Sequence, residues 1–279
     1  MKERDRLSWA ESTSKTSRWV LHDFQRAAPK RVTEVRPKHV SKWLRSRRNG
    51  RIPKDTTLRT RLSIVRAWGD WLIDQRIVKA NPTAGLTIRA ERPAIPRAIP
   101  ADAVPRLLEA CPDERARAIV LLSLHLGLRR AELAGLRIGD IDIGRRQLVI
   151  RGKGGWTDVM PVPEEAWIAL ISYLAEHPAS SGPLFRSFVT DEALKPAWIY
   201  RITATALYDS GIKTGPHDGM SLHSLRHRMV LDVLERTKDP QRARLASRHR
   251  SWAGFQAYTN VTLRTDDLTE ILDGRRYRP

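Results

Sequence analysis

Apolar residues recur at helical spacing in the N-terminal part of the chain. In "TTLRTRLSIVRAWGDWLIDQRI" they stand three or four residues apart, which predicts an amphipathic helix that Asp55 could cap. Its apolar positions are Leu58, Leu62, Val65, Trp68 and Leu72. A shorter amphipathic segment, "HVSKWLRSRR", ends at Asn49-Gly50, a turn-forming dipeptide. Residues 1–88 are therefore predicted to form a helical unit.

The pattern changes at "TIRAERPAIPRAIP", which contains three prolines and has no periodicity. This composition predicts an extended, semi-rigid linker over residues 89–100. Beyond the linker, "ADAVPRLLEAC" predicts an amphipathic helix and "ARAIVLLSLHLGL" predicts a buried one. A second domain is therefore expected over residues 101–279.

This second domain also contains one segment with strand periodicity. "RRQLVIRGKGGWTDVMPV" alternates apolar and polar residues on both sides of Gly152–Gly155, as a strand–turn–strand hairpin does. Helical patterns return at "EEAWIALISYLAEH" and continue to a short terminal helix. The apolar face of that helix comprises Leu268, Ile271 and Leu272. The predicted fold class is mainly α, with one small antiparallel β-sheet.

The charge of the chain is strongly positive and unevenly distributed. There are 50 Lys and Arg residues against 31 Asp and Glu, for a net charge of +19. Residues 1–90 hold 22 of the basic and 8 of the acidic residues. Such asymmetry favours a nucleic acid partner that is bound mainly at the N-terminal end. Arg59, Arg61 and Arg66 lie off the apolar stripe, on a face that is either solvated or follows DNA phosphates, and the charge favours the second.

Cysteine usage and hydropathy exclude several classes of protein. The single cysteine, Cys111, excludes a disulfide framework and a cysteine-rich zinc module, and it favours a reducing cytoplasm. No apolar run approaches the roughly 18 residues that a membrane span needs. The polar start "MKERDRLSWAEST" does not have the pattern of a signal peptide. We therefore expect a cytoplasmic protein.

The stretch "HSLRH" could be interpreted as a metal site or as an anion site. His223 and His227 stand four residues apart and would share a helical face, as paired metal ligands do. Arg226 shares that face, and the glutamate that zinc hydrolases place beside the first histidine is missing. Asp140 and Asp142 are a poor alternative for metal, because a strand would bury one and expose the other. An anion site is the better interpretation.

Other polar residues have a structural and a chemical interpretation. Arg129 follows a predicted buried helix, where a cation needs an anionic partner such as Glu132. Lys153 at the hairpin turn could be an ordinary solvated lysine, and Tyr258 an ordinary residue of an amphipathic helix. Taken together, however, arginines, histidines, a lysine and a tyrosine are the groups for phosphodiester chemistry without a metal.

Four motifs in order carry a family resemblance: "GLRRAELAGL", "IRGKGG", "HSLRH" and "HRSWAGFQAY". They resemble the signatures of the tyrosine recombinase (phage integrase) family, and the likeness extends over essentially the whole chain. The separations are also similar: 24 residues from Arg129 to Lys153, 23 from Arg226 to His249, and 9 from His249 to Tyr258. The simpler, two-domain, Xer-like members are the nearest type.

The resemblance implies a role for each matched residue. Arg129 and Arg226 would bind the scissile phosphate, and Glu132 would orient Arg129. Lys153 would protonate the leaving 5′ oxygen. Further matched positions are the proton acceptor or hydrogen-bonding partner His223, the supporting His227, the phosphate-stabilising His249 and the nucleophile Tyr258.

Three residues do not follow the matched pattern: Ser247 and Arg248 depart from it, and Arg130 lies at a position that varies in the family. Before the last histidine the family usually has Leu-Gly, whereas this chain has Ser247-Arg248, and the added charge would either contact DNA or distort the turn. Arg130 is at a variable position and is expected to be a surface or structural residue.

The resemblance also implies an architecture and partners. The N-terminal unit would be a helical, SAM-like core-binding domain, and the second domain would be catalytic. The protein would enclose double-stranded DNA with inverted-repeat sites and act as a homotetramer, or dimer of dimers, with or without an accessory DNA-binding or regulatory protein. Bond energy would be kept in a 3′-phosphotyrosyl ester, so no metal, ATP or other cofactor is expected. The alternatives are a type IB topoisomerase-like enzyme and an inactive DNA-binding regulator.

Overall fold

The computed structural model describes residues 11–47, 50–89, 96–152 and 154–262. The chain divides into two compact units, Met1–Arg92 and Pro93–Pro279. Within the described ranges, no helix combines the length and the apolar character needed to cross a membrane. Lys153 and the predicted terminal helix with Leu268, Ile271 and Leu272 lie outside the described residues.

The N-terminal unit is helical, as predicted. It contains α1 (Glu11–Gln25), a 3-10 turn (Val32–Glu34), α2 (Pro37–Leu44) and α3 (Asp55–Asp74). Helices α1 and α2 both pack on α3. The rings of Phe24 and Trp43 meet edge to face at 5.0 Å, and Trp43 Nε1 donates to Asp23 at 2.9 Å. The buried apolar side chains of this core are Val20, Phe24, Val35, Val40, Trp43, Leu44, Leu58, Leu62 and Val65.

Two details of α3 differ from the prediction. Asp55 is the first helical residue and Lys54 is the N-cap, so Asp55 contributes a negative charge to the first turn instead of capping it. Arg61 is only 5% exposed, so its predicted place on an outward face is wrong. Its guanidinium lies 5.4 Å from the ring of Trp19 and 5.7 Å from that of Trp43. Cation–π contacts of this kind let a guanidinium pack against a core. Arg66 is exposed and bonds the Leu86 carbonyl, and Arg59 is half-buried.

The second unit is built around a buried helix, α5 (Glu114–Leu126). Asp113 caps it by accepting from the Ala116 amide at 2.7 Å, and Gly127 ends it in the left-handed region at φ 59°. The other helices here are α4 (Val104–Glu109), α6 (Arg130–Gly135), α7 (Glu164–Glu176), α8 (Pro196–Asp209), α9 (Leu222–Thr237), α10 (Pro240–Ala246) and α11 (Trp252–Thr262). Helix α5 packs against α7, α8 and α9, which explains why its central residues, Ala118–Leu122, are apolar on every face.

The predicted hairpin is part of a three-stranded antiparallel sheet. Its strands are β1 (Ile141–Asp142), β2 (Gln147–Arg151) and β3 (Thr157–Pro161), in the order β1-β2-β3. Leu148 and Ile150 of β2 are fully buried against the core, and Leu148 pairs with Met160. Strands β2 and β3 pair from Gln147 with Pro161 to Arg151 with Thr157, so the described ends of the hairpin lie side by side. The predicted fold class, mainly α with a small antiparallel sheet, is confirmed.

The start of the second unit lies inside the predicted linker. Ile99 is 1% exposed and belongs to a core cluster with Leu107, Val120 and Leu225. Pro96 and Arg97 line a pocket of the same unit. Proline-rich composition predicts an extended chain over 89–100, and within its described part, residues 96–100, Ile99 is the buried residue that anchors the chain to the core of the second unit.

Candidate active site

The start of α9 fixes the positions of three predicted site residues. Ser221 is the N-cap, and its hydroxyl accepts from the His223 amide at 3.3 Å. Because the helix begins there, His223 lies in the first turn and Arg226 and His227 follow one turn later. The rings of His223 and His227 are 4.4 Å apart. The sequence "HSLRH" therefore places two imidazoles on one face, as predicted.

Arg226 is fully buried, with 0% of its surface exposed. Its Nη1 donates to the carbonyl of Gly127, and its Nη2 donates to the carbonyl of Ser247. Its Nε has no hydrogen-bond partner among the described residues. One guanidinium thus joins the turn after α5 to the turn after α10. A Cβ at Gly127 would come within 2.9 Å of Met229 and 3.3 Å of Arg226, so this close approach requires glycine.

The turn at Gly127 leads directly into Arg129 and Glu132. The Arg129 amide donates to Glu132 Oε2 at 2.9 Å, and Arg129 Nη1 donates to Glu132 Oε1 at 2.7 Å. The Arg129 side chain is 44% exposed, whereas Glu132 is buried. Burial by itself raises the pKa of Glu132, but the charge of Arg248 and the hydrogen bonds from Arg129 outweigh it and hold that pKa below its ordinary value. Glu132 is therefore a buried carboxylate that stays ionised and orients an accessible cation.

His249 follows the turn that ends α10. Its Nδ1 lies 2.6 Å from the hydroxyl of Ser247, which fixes the imidazole against that turn. Arg248 has a φ of 54°, in the left-handed region. Its guanidinium is buried and bonds Glu132. Neither expectation for Ser247-Arg248 describes this turn. The Arg248 guanidinium is buried and not displayed at the surface for DNA, and the turn keeps its backbone hydrogen bonds and is not distorted.

Tyr258 projects from α11 into the same region. It is 2% exposed and packs in a cluster with Met229, Val230 and Phe255. Its hydroxyl lies 2.6 Å from Nδ1 of His227, and its ring lies 5.6 Å from that of His249. The structure thus brings the predicted nucleophile to the predicted supporting histidine, His227, and not to a direct hydrogen bond with His223.

Of these side chains, His223, His227, His249 and Tyr258 line one pocket of about 330 Å³. Its described lining residues include basic and hydroxyl groups but no acidic side chain. They are Pro96, Arg97, Gly219, Ser221, His223, Ser224, His227, His249, Gly254, Ala257 and Tyr258. Such a lining, next to the cations of Arg129 and Arg226, is suited to an anion.

Burial and neighbouring cations shift the ionisable groups of the pocket. Burial, together with His223 and Arg226, lowers the pKa of His227 to about 4, and burial with Arg226 and Arg129 lowers the pKa of His249 to about 3. The pKa of His223 is lowered for the same reasons. Burial also raises the pKa of Tyr258 and lowers that of Arg226 to about 10. Without a bound anion, the three histidines are therefore neutral at pH 7.

These shifts predict a pH dependence of stability. A histidine ordinarily titrates near pH 6.5, so between that pH and about 4 the unfolded chain binds protons that folded His227 excludes. The free energy of unfolding should therefore fall as the pH drops through this window. His227→Asn should make the slope shallower in urea unfolding at pH 7, 6 and 5.

The matched control for this experiment is His217→Asn, in an exposed loop of the same unit. It should leave the slope as in the parent protein. An equally steep slope in His227→Asn would contradict a neutral, buried His227.

The remaining predicted residues take structural positions. Arg130 lies over the ring of Tyr200 at 5.9 Å, in agreement with a surface role. Asp140 is buried and accepts from Arg151 at 2.6 Å, while Asp142 is half-exposed on β1. Across the described residues, no cluster of three or more His, Cys, Asp or Glu side chains has the geometry to hold a metal ion.

One contact that the sequence does not predict ties the hairpin to the His249 turn. Arg250 donates through Nη2 to both oxygens of Asp158 on β3, at 2.9 and 3.0 Å. Its guanidinium also lies 4.9 Å from the ring of Trp156. The two partners are 92 residues apart in sequence, and only the run of arginines in "SRHRS" indicates extra charge here.

This contact predicts that Arg250 limits the mobility of the hairpin. Arg250→Ala should change global stability by less than about 1 kcal/mol, because the pair is half-exposed. Amide exchange in β3 should nevertheless become several-fold faster, since local opening loses one anchor. Hydrogen–deuterium exchange read by mass spectrometry measures this, with Arg145→Ala, an exposed ion-paired arginine on the β1–β2 turn, as control. Equal exchange in both variants would contradict the anchoring role.

The chain matches known proteins in sequence and in fold. The model of the phage integrase family matches residues 97–264. The tyrosine recombinase XerC of Salmonella typhi is 31% identical over 229 residues, which cover 78% of this chain and 73% of that protein. The chain belongs to the phage integrase family. The prediction of a tyrosine-type, site-specific DNA recombinase is thereby confirmed, and the topoisomerase and regulator alternatives are not favoured.

Solved structures of other integrases share the fold. A lambda integrase (residues 75–356) dimer bound to a COC′ core site has a TM-score of 0.74 at 17% identity, covering 100% of this chain and 95% of that one. A lambda integrase tetramer bound to a Holliday junction has a TM-score of 0.74 at 17% identity, covering 100% and 77%. At 17% identity, these two comparisons show that the chain shares the fold of lambda integrase and nothing more.

Proposed function

We propose that this chain cuts and rejoins DNA by transferring a phosphoryl group to Tyr258. The observation that supports this most directly is the 2.6 Å contact between the Tyr258 hydroxyl and His227, inside a pocket that also contains His223 and His249. A tyrosine beside a neutral imidazole has the arrangement of a nucleophile next to a proton acceptor.

The scissile phosphate is held by the two arginines. Arg129 offers an exposed guanidinium whose orientation is set by Glu132. Arg226 holds the turns at Gly127 and Ser247 through Nη1 and Nη2, and we assign its Nε, which is buried without a partner among the described residues, to the phosphate. Guanidinium groups bind non-bridging phosphate oxygens through paired hydrogen bonds. They also stabilise the additional charge of the transition state, and such electrostatic stabilisation commonly contributes most to the rate.

The covalent step conserves atoms and charge. The Tyr258 oxygen forms a bond to phosphorus as its proton moves to His227 Nδ1, and the bond from phosphorus to the 5′ oxygen breaks. The 5′ oxygen leaves as a hydroxyl after receiving a proton, for which Lys153 is the proposed donor. Attack by a 5′ hydroxyl of a partner strand on the 3′-phosphotyrosyl ester reverses these bonds, so no cofactor is needed.

The phosphate itself prepares the histidines for this chemistry. In the free protein, burial and the arginine charges hold the pKa values of His227 and His249 well below neutrality. A bound phosphodiester adds a negative charge to the pocket, which raises both pKa values toward the working pH. His227 therefore becomes an effective proton acceptor only when DNA is present.

The proposed substrate is double-stranded DNA with an inverted repeat, bound by both units. The excess of basic residues in 1–90 supports phosphate contacts by the N-terminal unit, with Arg59 and Arg66 as candidates. The buried Arg61 is a packing residue instead. The lambda integrase structures with the same fold are a dimer on a core site and a tetramer on a Holliday junction, which supports assembly of this chain on DNA as a tetramer. The proposed location is the cytoplasm.

A nicked suicide duplex tests the proposal. The duplex carries the inverted repeat that the protein selects from a random-sequence library. A nick close to the cleavage site lets the short fragment with the new 5′ hydroxyl dissociate after cleavage, so that the strand cannot be rejoined. In EDTA, we expect a covalent protein–DNA band on a denaturing gel. The protein should be linked to the 3′ phosphate of the labelled strand, and the released fragment should carry a free 5′ hydroxyl. Binding without any adduct, or cleavage that requires added magnesium, would overturn the proposal.

A further inference from the structure

The turn after α10 has a backbone conformation that glycine normally supplies. The Arg248 amide donates to the Leu245 carbonyl at 2.9 Å, and the His249 amide donates to the Arg244 carbonyl at 3.1 Å. These two bonds, with Arg248 at φ 54°, define a Schellman motif. Its left-handed position is usually glycine, because a Cβ there is crowded. An arginine at this position is therefore unfavourable for the backbone and needs a compensating interaction.

The Arg248 side chain makes that interaction in the interior. It is 4% exposed, and its Nη2 lies 2.6 Å from Glu132 Oε2 while Nη1 donates to the Leu126 carbonyl at 3.2 Å. Its Nε lies 3.8 Å from Asp158. A buried guanidinium and a buried carboxylate are each costly alone and are retained only as a bonded pair.

Arg129 and Arg248 both donate hydrogen bonds to the carboxylate of Glu132. Oε1 accepts from Arg129 Nη1, and Oε2 accepts from the Arg129 amide and from Arg248 Nη2. The bond from Arg248 fixes the rotation of the carboxylate about its own axis. Arg129 is 44% exposed and long, so the carboxylate is its main constraint on the protein side. Fixing Glu132 therefore fixes the direction of the Arg129 guanidinium.

We propose that Arg248 is a positioning residue for DNA cleavage, which acts through Glu132 to hold Arg129 in the orientation that binds the scissile phosphate. This role rests on the proposed function of Arg129. It gives a chemical reason for an arginine at a position that favours glycine on backbone grounds. It also links the segment of His249 to that of Arg129, so that two phosphate-binding groups are aligned by one buried pair.

The test compares two arginines that share the same backbone strain. Arg248→Gly removes the buried guanidinium and relieves the left-handed residue. Arg146→Gly relieves an equally left-handed arginine, at φ 51°, in the exposed β1–β2 turn, and it is the matched control. Single-turnover cleavage of the nicked duplex is measured at saturating protein, together with DNA affinity at several salt concentrations. We expect a cleavage rate lower by roughly ten- to a hundredfold for Arg248→Gly and unchanged for Arg146→Gly.

DNA affinity separates positioning from a direct DNA contact. A residue that contacts phosphate would, when removed, lower the salt dependence of log affinity by about one per contact. Because Arg248 is buried, its removal should leave both affinity and salt dependence as in the parent. A weakened affinity with an unchanged cleavage rate would overturn the proposal and make Arg248 a DNA-binding residue.

A double-mutant cycle separates positioning from a purely structural role. If Arg248 acts through Glu132, then Arg248→Gly should add little to the loss of cleavage already caused by Glu132→Gln. Arg248→Lys, which can reach one partner with a single ammonium, should restore part of the rate. Fully additive losses, or a lower melting temperature with an unchanged cleavage rate of the folded protein, would contradict positioning. Absence of any adduct from the parent protein would instead reject the proposed function.

Discussion

Tyr258→Phe should form no covalent protein–DNA adduct on the nicked duplex and should still bind it. Removing the nucleophilic oxygen removes the only atom proposed to bond to phosphorus, so the cleavage rate should fall by more than about 10³-fold. The ring remains to fill the cluster with Val230 and Phe255. The lost hydrogen bond to His227 should cost only about 1 kcal/mol of unfolding free energy.

The control for this variant is Tyr208→Phe, which changes an exposed tyrosine of the same unit. It should form the adduct at the parent rate. Adduct formation by Tyr258→Phe would show that a different residue is the nucleophile. Loss of DNA binding in Tyr258→Phe would show instead that the hydroxyl is required for the structure of the pocket.

The second large effect distinguishes Arg129 from Arg226, the two arginines that we propose bind the phosphate. Arg129→Ala should lower the cleavage rate by roughly 10²–10³-fold, as removal of one group that stabilises transition-state charge does. Its side chain is partly exposed, so unfolding free energy should fall by only about 1 kcal/mol. Arg226→Ala should lower cleavage at least as much. In addition, it leaves the Gly127 and Ser247 carbonyls buried without their donor, which should cost roughly 2–5 kcal/mol.

Single-turnover cleavage and urea unfolding of the same preparations measure these effects. Arg228→Ala is the matched control, because this buried arginine of α9 pairs with Asp232 and Glu235, whereas Arg226 donates to the carbonyls of Gly127 and Ser247. It should lose stability and keep its cleavage rate. If Arg226→Ala and Arg228→Ala lose stability alike and both cleave at the parent rate, Arg226 is a packing residue without a role in catalysis.

Much of the fold follows from periodicity. The apolar run of α5 corresponds to one buried helix, and the alternation in β2 corresponds to one strand with a buried face. In β3 the alternation remains visible although its residues are only half-buried or exposed. The two-residue strand β1 is not predictable, because so short a pairing leaves no pattern in the sequence. The exposed position predicted for Arg61 is wrong, although this residue follows Leu58 by three positions and precedes Val65 by four. That spacing puts it on the apolar face, and its charge alone favours the opposite face.

The contacts of the candidate site are likewise predictable where they lie on one helix and not predictable where they join distant segments. The residues of "HSLRH" are predicted to lie together because their spacing on one helix determines it. The direction of Arg248 could not be predicted, because it depends on the backbone conformation of a turn and on a carboxylate 116 residues away. A helix periodicity has no information about such a pair. The hydrogen bond of Tyr258 to His227, and not to His223, likewise depends on how α11 packs on α9.

The division of the chain at residues 92 and 93 has a consequence for protein engineering. The contacts that assemble the site run between residues 96 and 258, all within the second unit. A chimera joined at this division therefore keeps every one of these contacts, whereas a joint between residues 127 and 226 would separate Arg226 from the Gly127 carbonyl to which it donates. Exchange of the N-terminal unit at this joint leaves the contacts of the second unit in place, so it tests whether the N-terminal unit alone selects the DNA site.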